Sequence, residues 1–155
     1  MNLISADHIS PLEMFKIGVG PSSSHTVGPM VAALKFRQSV EEICRDLIPG
    51  TNDLLIEVEL FGSLSATGKG HATDGAICAG LCGLHPRHAS PEQTWDCQPA
   101  LEKNPHLEIE NRKIRFNPST DIIWRSWTLN DNPLPHPNTI IFRLKSNDKT
   151  ISEQT

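Results

Sequence analysis

The 155-residue sequence predicts an α+β domain, and two patterns carry that prediction. Apolar residues recur at helical spacing in the first third of the chain, whereas short alternating, β-branched runs separated by turn residues fill the last third. Because helices come early and most strands come late, we expect a mostly antiparallel sheet. A chain of this length is long enough for one self-contained hydrophobic core.

The first half of the chain is predicted to hold the helices and one strand. Residues 11–17 form a short helix, and residues 73–84 form a helix whose small side chains allow close packing. Residues 53–61 alternate apolar and charged side chains, as in a half-buried strand. A longer helix lies between the short helix and the strand; it begins at Pro29 and ends near Gly50. Its apolar face comprises Met30, Ala33, Phe36, Val40, Ile43 and Leu47.

The second half is predicted to be a loop followed by strands. Residues 85–106 contain four prolines and are expected to form a long loop. A hairpin follows around residues 110–113, and further strands cover residues 122–127 and 139–144. A turn at residues 146–149 leads into a strand that stops at Thr155. This stop in mid-strand predicts that residues 1–155 are one domain of a longer, truncated protein.

Charge and composition exclude several classes of protein. The net charge of −4 gives no basic surface for nucleic acid, and neither a membrane span nor a signal segment is recognisable, so we expect a cytoplasmic protein. Cys78 and Cys82 share a face of the predicted helix, but no second pair completes a zinc set. Free, mostly buried thiols are expected at Cys44, Cys78, Cys82 and Cys97.

A segment rich in glycine, proline and serine, residues 18–30, is the first candidate site. It leads into a helix N-terminus, where free N–H groups and the helix dipole favour an anion. Its hydroxyls can donate to carboxylate or phosphate oxygens, and His25 adds an imidazole ring. A capped loop without a ligand is the alternative. The candidate binding residues are Ser22, Ser23, Ser24, His25 and Thr26.

A second segment of similar composition, residues 62–74, follows the predicted strand. Gly68 and Gly70 flank Lys69, so the backbone is free to bring Lys69 and His71 to a ligand. The full phosphate-loop pattern is absent here. Taken alone, the segment is equally consistent with a plain turn.

The two segments together resemble the hallmark motifs of the iron–sulfur-dependent L-serine dehydratases, in particular their N-terminal β domain, and residues 14–20 fit as well. The resemblance implies deamination of L-serine to pyruvate and ammonia, with a [4Fe–4S] cluster as the Lewis acid. It also implies that the cluster ligands lie in a separate α domain or subunit, so this chain carries none. The implied fold is that of the allosteric substrate-binding domains.

The resemblance also assigns roles to residues. Ser22, Ser23, Ser24, His25, Thr26 and Gly70 are implied substrate contacts, and Lys69 and His71 are implied catalytic residues. We prefer His71 as the base because a glycine-flanked loop can press it into a cleft closed by another domain. His25 would then orient the substrate, although the two histidines can exchange these roles.

A third segment, residues 134–143, resembles the family's His-x-Asn-Gly-Met-Arg motif, with Thr139 and Ile140 in place of Gly and Met. His136 and Asn138 are candidates for binding serine as an effector or for seating the domain on its partner, and a structural turn is the alternative. Two further hypotheses stay open: an amino-acid-binding regulatory module without catalysis, and a homodimer formed through an open strand edge near Thr150.

Overall fold

A computed structural model describes residues 22–48, 50, 53–126 and 136–155. The predicted helix at residues 11–17, the matched residues 14–20 and Trp127 lie outside the described residues, as do residues 134–135 of the third segment. In the part of the chain that is described, no helix combines the length and the apolar character that crossing a membrane requires.

The described residues form five α-helices and six strands. A π-helical turn, Ser23–Val27, precedes the first helix, and a 3₁₀ turn, Gly68–His71, joins the second helix to the third. The elements are α1 (Gly28–Asp46), β1 (Leu54–Leu60), α2 (Gly62–Thr67), α3 (Thr73–Leu81), α4 (Pro91–Lys103), β2 (His106–Ile109), β3 (Arg112–Arg115), α5 (Pro118–Asp121), β4 (Ile122–Trp124), β5 (Ile140–Ser146) and β6 (Lys149–Gln154).

The six strands form one mixed sheet in the order β2-β3-β1-β5-β6, with β4 also paired to β1. β1 pairs antiparallel with β5 along its whole length, and it pairs in parallel with β3 and β4. The hairpins β2-β3 and β5-β6 are antiparallel. The predicted α+β class with a mostly antiparallel sheet is confirmed. The likeness to the allosteric substrate-binding fold stays a prediction.

The core lies between α1, α3 and one face of the sheet. Met30, Ala33, Phe36 and Val40 of α1 are fully buried, as the helical spacing predicts. The Phe36 ring stacks on Phe142 of β5 with centroids 5.2 Å apart. The alternating residues of β1 are buried too, which confirms the predicted strand. These contacts hold α1 and its N-terminal turn at a fixed place over the sheet.

Residues 62–74 are helical, so the prediction of an irregular loop or turn is wrong. Gly62, at φ 58°, turns the chain out of β1, and α2 and the 3₁₀ turn follow. Leu64 is 1% exposed and anchors α2 in the core. One buried leucine produces no periodicity in a sequence. The short helix is therefore stabilised by tertiary packing, which local propensity does not report.

Residues 85–106 are also not a long loop, because α4 occupies their centre. Ser90 and Gln93 form a capping box at its start, and Pro91 occupies the first turn, where a missing N–H costs nothing. Pro99 lies inside the helix, and Leu101, 4% exposed, packs into the core. The four prolines led to the prediction of a loop, although the capping motif of Ser90 and Gln93 marks the start of a helix.

The later strands agree with the sequence patterns, with small shifts of their ends. Glu110 and Asn111 have φ of 49° and 60° in the β2-β3 turn, and Asn147 and Asp148 have φ of 48° and 64° in the β5-β6 turn. These left-handed values suit a two-residue hairpin turn. The strand predicted at residues 122–127 is shorter and ends at Trp124.

Candidate functional site

The described part of the serine-rich segment, residues 22–30, contains a single π-helical turn that runs directly into α1. The Ser22 hydroxyl accepts a hydrogen bond from the His25 amide at 3.3 Å and caps the turn. The amides of Thr26 and Val27 donate to the Ser22 carbonyl, and that of Gly28 donates to Ser23. Because the turn uses these N–H groups, the amides just before α1 are not available to a ligand. The Ser23 hydroxyl is exposed and makes no hydrogen bond within the described ranges, so it is a donor left for a ligand.

Two serine hydroxyls hold the His25 ring. Its Nδ1 lies 2.8 Å from Ser24 Oγ, and its Nε2 lies 2.9 Å from Ser63 Oγ. A hydroxyl can donate or accept, so this pair suits either the neutral ring or the imidazolium. His25 therefore has both nitrogens occupied by the protein.

His71 ends the 3₁₀ turn and is held in a different way. Its Nδ1 lies 2.9 Å from the carbonyl oxygen of Thr67, an atom that only accepts hydrogen bonds. In the neutral ring the proton is therefore on Nδ1, and Nε2 carries the lone pair. No hydrogen bond to Nε2 is found in the described ranges. His71 thus presents a free basic nitrogen, whereas His25 does not.

Two buried threonines join the two segments through hydrogen bonds. The Thr26 hydroxyl donates to the His71 carbonyl at 2.9 Å, and the Thr73 hydroxyl donates to the His25 carbonyl at 2.6 Å. Both threonines are 0% exposed. The two imidazole rings consequently lie 5.1 Å apart between centroids. Thr26 joins the two segments through its buried hydroxyl, and its role as a substrate contact stays a prediction.

Lys69 and Gly70 lie on the exposed side of the 3₁₀ turn. The Lys69 ammonium is 5.4 Å from the centroid of the Trp124 ring, within the range of a cation–π contact. No atom lies within 4 Å of the position that a Cβ of Gly70 would take. Open space therefore adjoins Gly70, a predicted site residue next to Lys69.

The third segment reaches the same end of the sheet. The Pro137 carbonyl accepts a hydrogen bond from the Ser63 amide at 3.0 Å. His136 Nδ1 accepts from the Asn138 amide at 3.0 Å, which is a local turn contact. A cleft of about 270 Å³ is lined by Ser24 and Asn138, with Leu64 and Phe142 among its apolar walls. Ser24 and Asn138 thus border one cleft, and His25, His71, Lys69 and His136 are not among the described residues that line it.

The described residues do not fit the ligand set of an iron–sulfur cluster. Among them, no group of three or more His, Cys, Asp or Glu side chains is arranged to hold a metal ion. Burial raises the pKa of the Cys44 and Cys78 thiols, which disfavours the thiolate that iron binds. Cys82, which directly follows α3, and Cys97 of α4 are partly buried against the same core.

Ser63 and Thr73 are site residues that sequence reasoning missed. Both lie in the second segment, but a serine or threonine there gives no signal of its own, since these residues also suit caps and turns. Only their partners identify them. Ser63 and His25 are 38 positions apart in the chain, and Thr73 and His25 are 48 apart.

Comparisons with known proteins agree on one family. The family described as serine dehydratase beta chain matches residues 10–155. The L-serine dehydratase of Helicobacter pylori is 34% identical over 149 residues, which cover 94% of this chain and 30% of the relative. The L-serine dehydratase TdcG of Escherichia coli is 53% identical over 79 residues, which cover 51% of this chain and 16% of the relative.

A third relative, the L-serine dehydratase of Streptomyces coelicolor, is 37% identical over 116 residues, which cover 74% of this chain and 25% of the relative. The chain therefore spans less than a third of the length of these curated relatives. The match at residues 10–155 includes all three segments that meet around Ser63. The chain belongs to the serine dehydratase beta-chain family.

Proposed function

We propose that this chain is the β portion of an L-serine dehydratase, which deaminates L-serine to pyruvate and ammonia, and that it supplies the substrate half of the active site. The observation that carries the proposal is the pairing of His25 and His71, with ring centroids 5.1 Å apart and exposed hydroxyls beside them. In this proposal a [4Fe–4S] cluster belongs to a separate α domain or subunit.

Removal of the Cα proton of serine requires a base with a free lone pair. His71 meets this requirement, because Thr67 fixes its proton on Nδ1 and leaves Nε2 available. His71 is half-buried at the end of the 3₁₀ turn, where a second domain can cover it. We therefore assign the proton transfer to His71 Nε2.

His25 has the complementary task of orienting groups. Its two nitrogens are engaged by Ser24 and Ser63, so its ring is fixed and its proton can shift between the two hydroxyls. A fixed ring beside the base serves to hold substrate or its neighbours in reactive geometry. This arrangement favours His25 as the orienting residue.

The carboxylate of L-serine needs cationic and hydroxyl donors. Ser23 and Lys69 are exposed in the segments that carry the two histidines, and the lysine ammonium is a strong partner for a carboxylate. The space above Gly70 leaves room for the substrate backbone. The hydroxyl of serine is a poor leaving group, and the proposal assigns its activation to the cluster outside this chain.

The proposal is tested with the enzyme assembled anaerobically from this chain, an iron–sulfur α portion, iron and sulfide. We expect pyruvate release from L-serine, which a coupled assay measures as the oxidation of NADH. His71→Ala is expected to lower turnover by about 10²- to 10⁴-fold, the usual contribution of a general base. His88→Ala serves as the matched control, because His88 is an exposed histidine in a turn outside the three candidate segments.

Two results would contradict the proposal. Binding of L-serine without pyruvate release would favour an amino-acid-binding regulatory module. Near-normal turnover of His71→Ala, together with its loss in His25→Ala, would show that the two histidines have exchanged roles.

A further inference from the structure

We infer that Ser63 is a positioning residue, whose hydroxyl holds the His25 ring beside His71. This inference rests on the proposed function of the two histidines. Ser63 itself is not expected to touch the substrate.

The two partners of His25 differ in what they can fix. Ser24 lies in the same π-helical turn as His25 and moves with it, so its 2.8 Å contact with Nδ1 does not tie the ring to the rest of the domain. Ser63 lies in α2, and its 2.9 Å contact with Nε2 spans 38 positions of the chain. Of these two hydroxyls, Ser63 is therefore the one that anchors the ring to the body of the protein.

The Ser63 hydroxyl is fixed because its backbone is fixed. The Ser63 amide donates to the Pro137 carbonyl at 3.0 Å, and its carbonyl accepts a hydrogen bond from the Thr67 hydroxyl at 3.0 Å. The next residue, Leu64, is 1% exposed. Ser63 also lies three positions after the end of β1, which is the central strand.

The same element aligns both histidines. The Thr67 carbonyl at the end of α2 accepts from His71 Nδ1, while Ser63 in its first turn contacts His25 Nε2. One short helix thus sets the orientation of two rings from different segments. Loss of the Ser63 hydroxyl frees the His25 ring to rotate and leaves the His71 ring in place.

Three variants of the assembled enzyme test this inference. Ser63→Ala is expected to lower kcat by about 10- to 100-fold, the effect of a small misplacement in an active site, with a smaller change in KM. Ser63→Thr, which keeps the hydroxyl, is expected to restore most of the activity. Ser65→Ala is the matched control, because it lies in the same helix and no side-chain hydrogen bond of Ser65 is recorded among the described residues.

A second measurement needs only this chain and no activity. The ¹⁵N shifts of the histidine side chains report hydrogen bonding at each ring nitrogen. We expect Ser63→Ala to move the His25 Nε2 signal and to leave the His71 signals unchanged. If Ser63→Ala does not fold, as judged by circular dichroism, the nearly isosteric Ser63→Cys replaces it in both measurements.

The kinetic measurement and the ¹⁵N shifts together distinguish failure of the inference from failure of the proposed function. Unchanged His25 signals in Ser63→Ala, or a kcat equal to that of Ser65→Ala, would overturn the positioning role. If the assembled wild-type enzyme releases no pyruvate, the proposed function fails, and the nitrogen shifts alone still decide whether Ser63 holds the His25 ring.

Discussion

Gly68 and Gly70 flank Lys69 but serve different purposes. A Cβ on Gly68 would lie 2.9 Å from both Thr73 Oγ1 and Trp124 Cζ3, whereas a Cβ on Gly70 would meet nothing within 4 Å. Neither has a positive φ, so space rather than backbone conformation distinguishes them. Gly68 is required by packing, and Gly70 keeps a surface open.

These two glycines give a matched pair of substitutions. Gly68→Ala is expected to destabilise the fold by about 1–3 kcal/mol, the usual cost of overpacking, because Thr73 and Trp124 must shift. Gly70→Ala is expected to leave the melting temperature nearly unchanged and to raise the KM for L-serine, since its methyl group enters the proposed substrate space. Thermal melting and steady-state kinetics measure the two effects. Equal melting temperatures for both variants would contradict the packing argument.

Helix α4 shows how a capping motif positions an element. The Ser90 hydroxyl accepts from the Gln93 amide at 3.2 Å, and the Gln93 side chain accepts from the Ser90 amide at 2.9 Å. The helix then packs on α3, where the Trp95 ring lies 3.2 Å from the position of a Cβ on Gly75. The cap therefore stabilises α4, which packs on α3, the helix that follows the 3₁₀ turn of the site.

Removal of this cap tests its contribution. Ser90→Ala is expected to lower the free energy of unfolding by about 1 kcal/mol. In a domain of this size that change lowers the melting temperature by about 2–4 °C. Ser119→Ala is the control, because Ser119 is exposed and its hydroxyl makes no hydrogen bond in the described part of the chain. Equal melting curves for the two variants would show that the capping box adds no stability.

Charged side chains lie on the face of the sheet opposite the helices. Glu59 is 6% exposed and bonds to Arg143 at 2.6 Å and to Arg125 through Nε at 2.9 Å. Burial alone would raise the pKa of Glu59, but the hydrogen bonds from Arg143 and Arg125 outweigh it and hold the pKa below its usual value. Glu59 thus remains ionised in the folded protein.

This lowered pKa predicts how stability depends on pH. Because the folded pKa of Glu59 lies below the unfolded one, its contribution to stability is complete above the unfolded pKa and is lost as pH falls through the folded pKa. Glu59→Gln is expected to cost about 2 kcal/mol at pH 7, as a charged hydrogen-bonding partner is lost. Its unfolding free energy should also fall less than that of the wild type between pH 5 and pH 3.

Urea denaturation at several pH values measures both effects. Glu108→Gln is the control, because Glu108 lies exposed on β2 and forms no ion pair in the described ranges. If the unfolding free energies of the wild type and of Glu59→Gln depended on pH in the same way, this result would contradict the role of the Arg125–Glu59–Arg143 contacts.

The sequence by itself determined the elements that carry a local signal. The apolar period of α1, the alternation of β1 and β5 and the turn residues of both late hairpins are each encoded within a few positions, so they were predicted correctly. Lys69, His71 and the serine-rich segment were also recognisable, because glycine, serine and histidine are concentrated there. Helices α2 and α4 were missed, since one depends on a single buried leucine and the other contains two prolines.

Only the tertiary structure decided which of these residues meet. Thr26 and His71 lie 45 positions apart, and their hydrogen bond exists because α1 and α3 pack closely. Gly80 permits that approach, since a Cβ there would lie 2.3 Å from the Met30 carbonyl. The tautomer of His71 and the Ser63 contact of His25 follow from the same packing. Contacts between distant segments depend on how whole elements fit together, and no local pattern of residues encodes them.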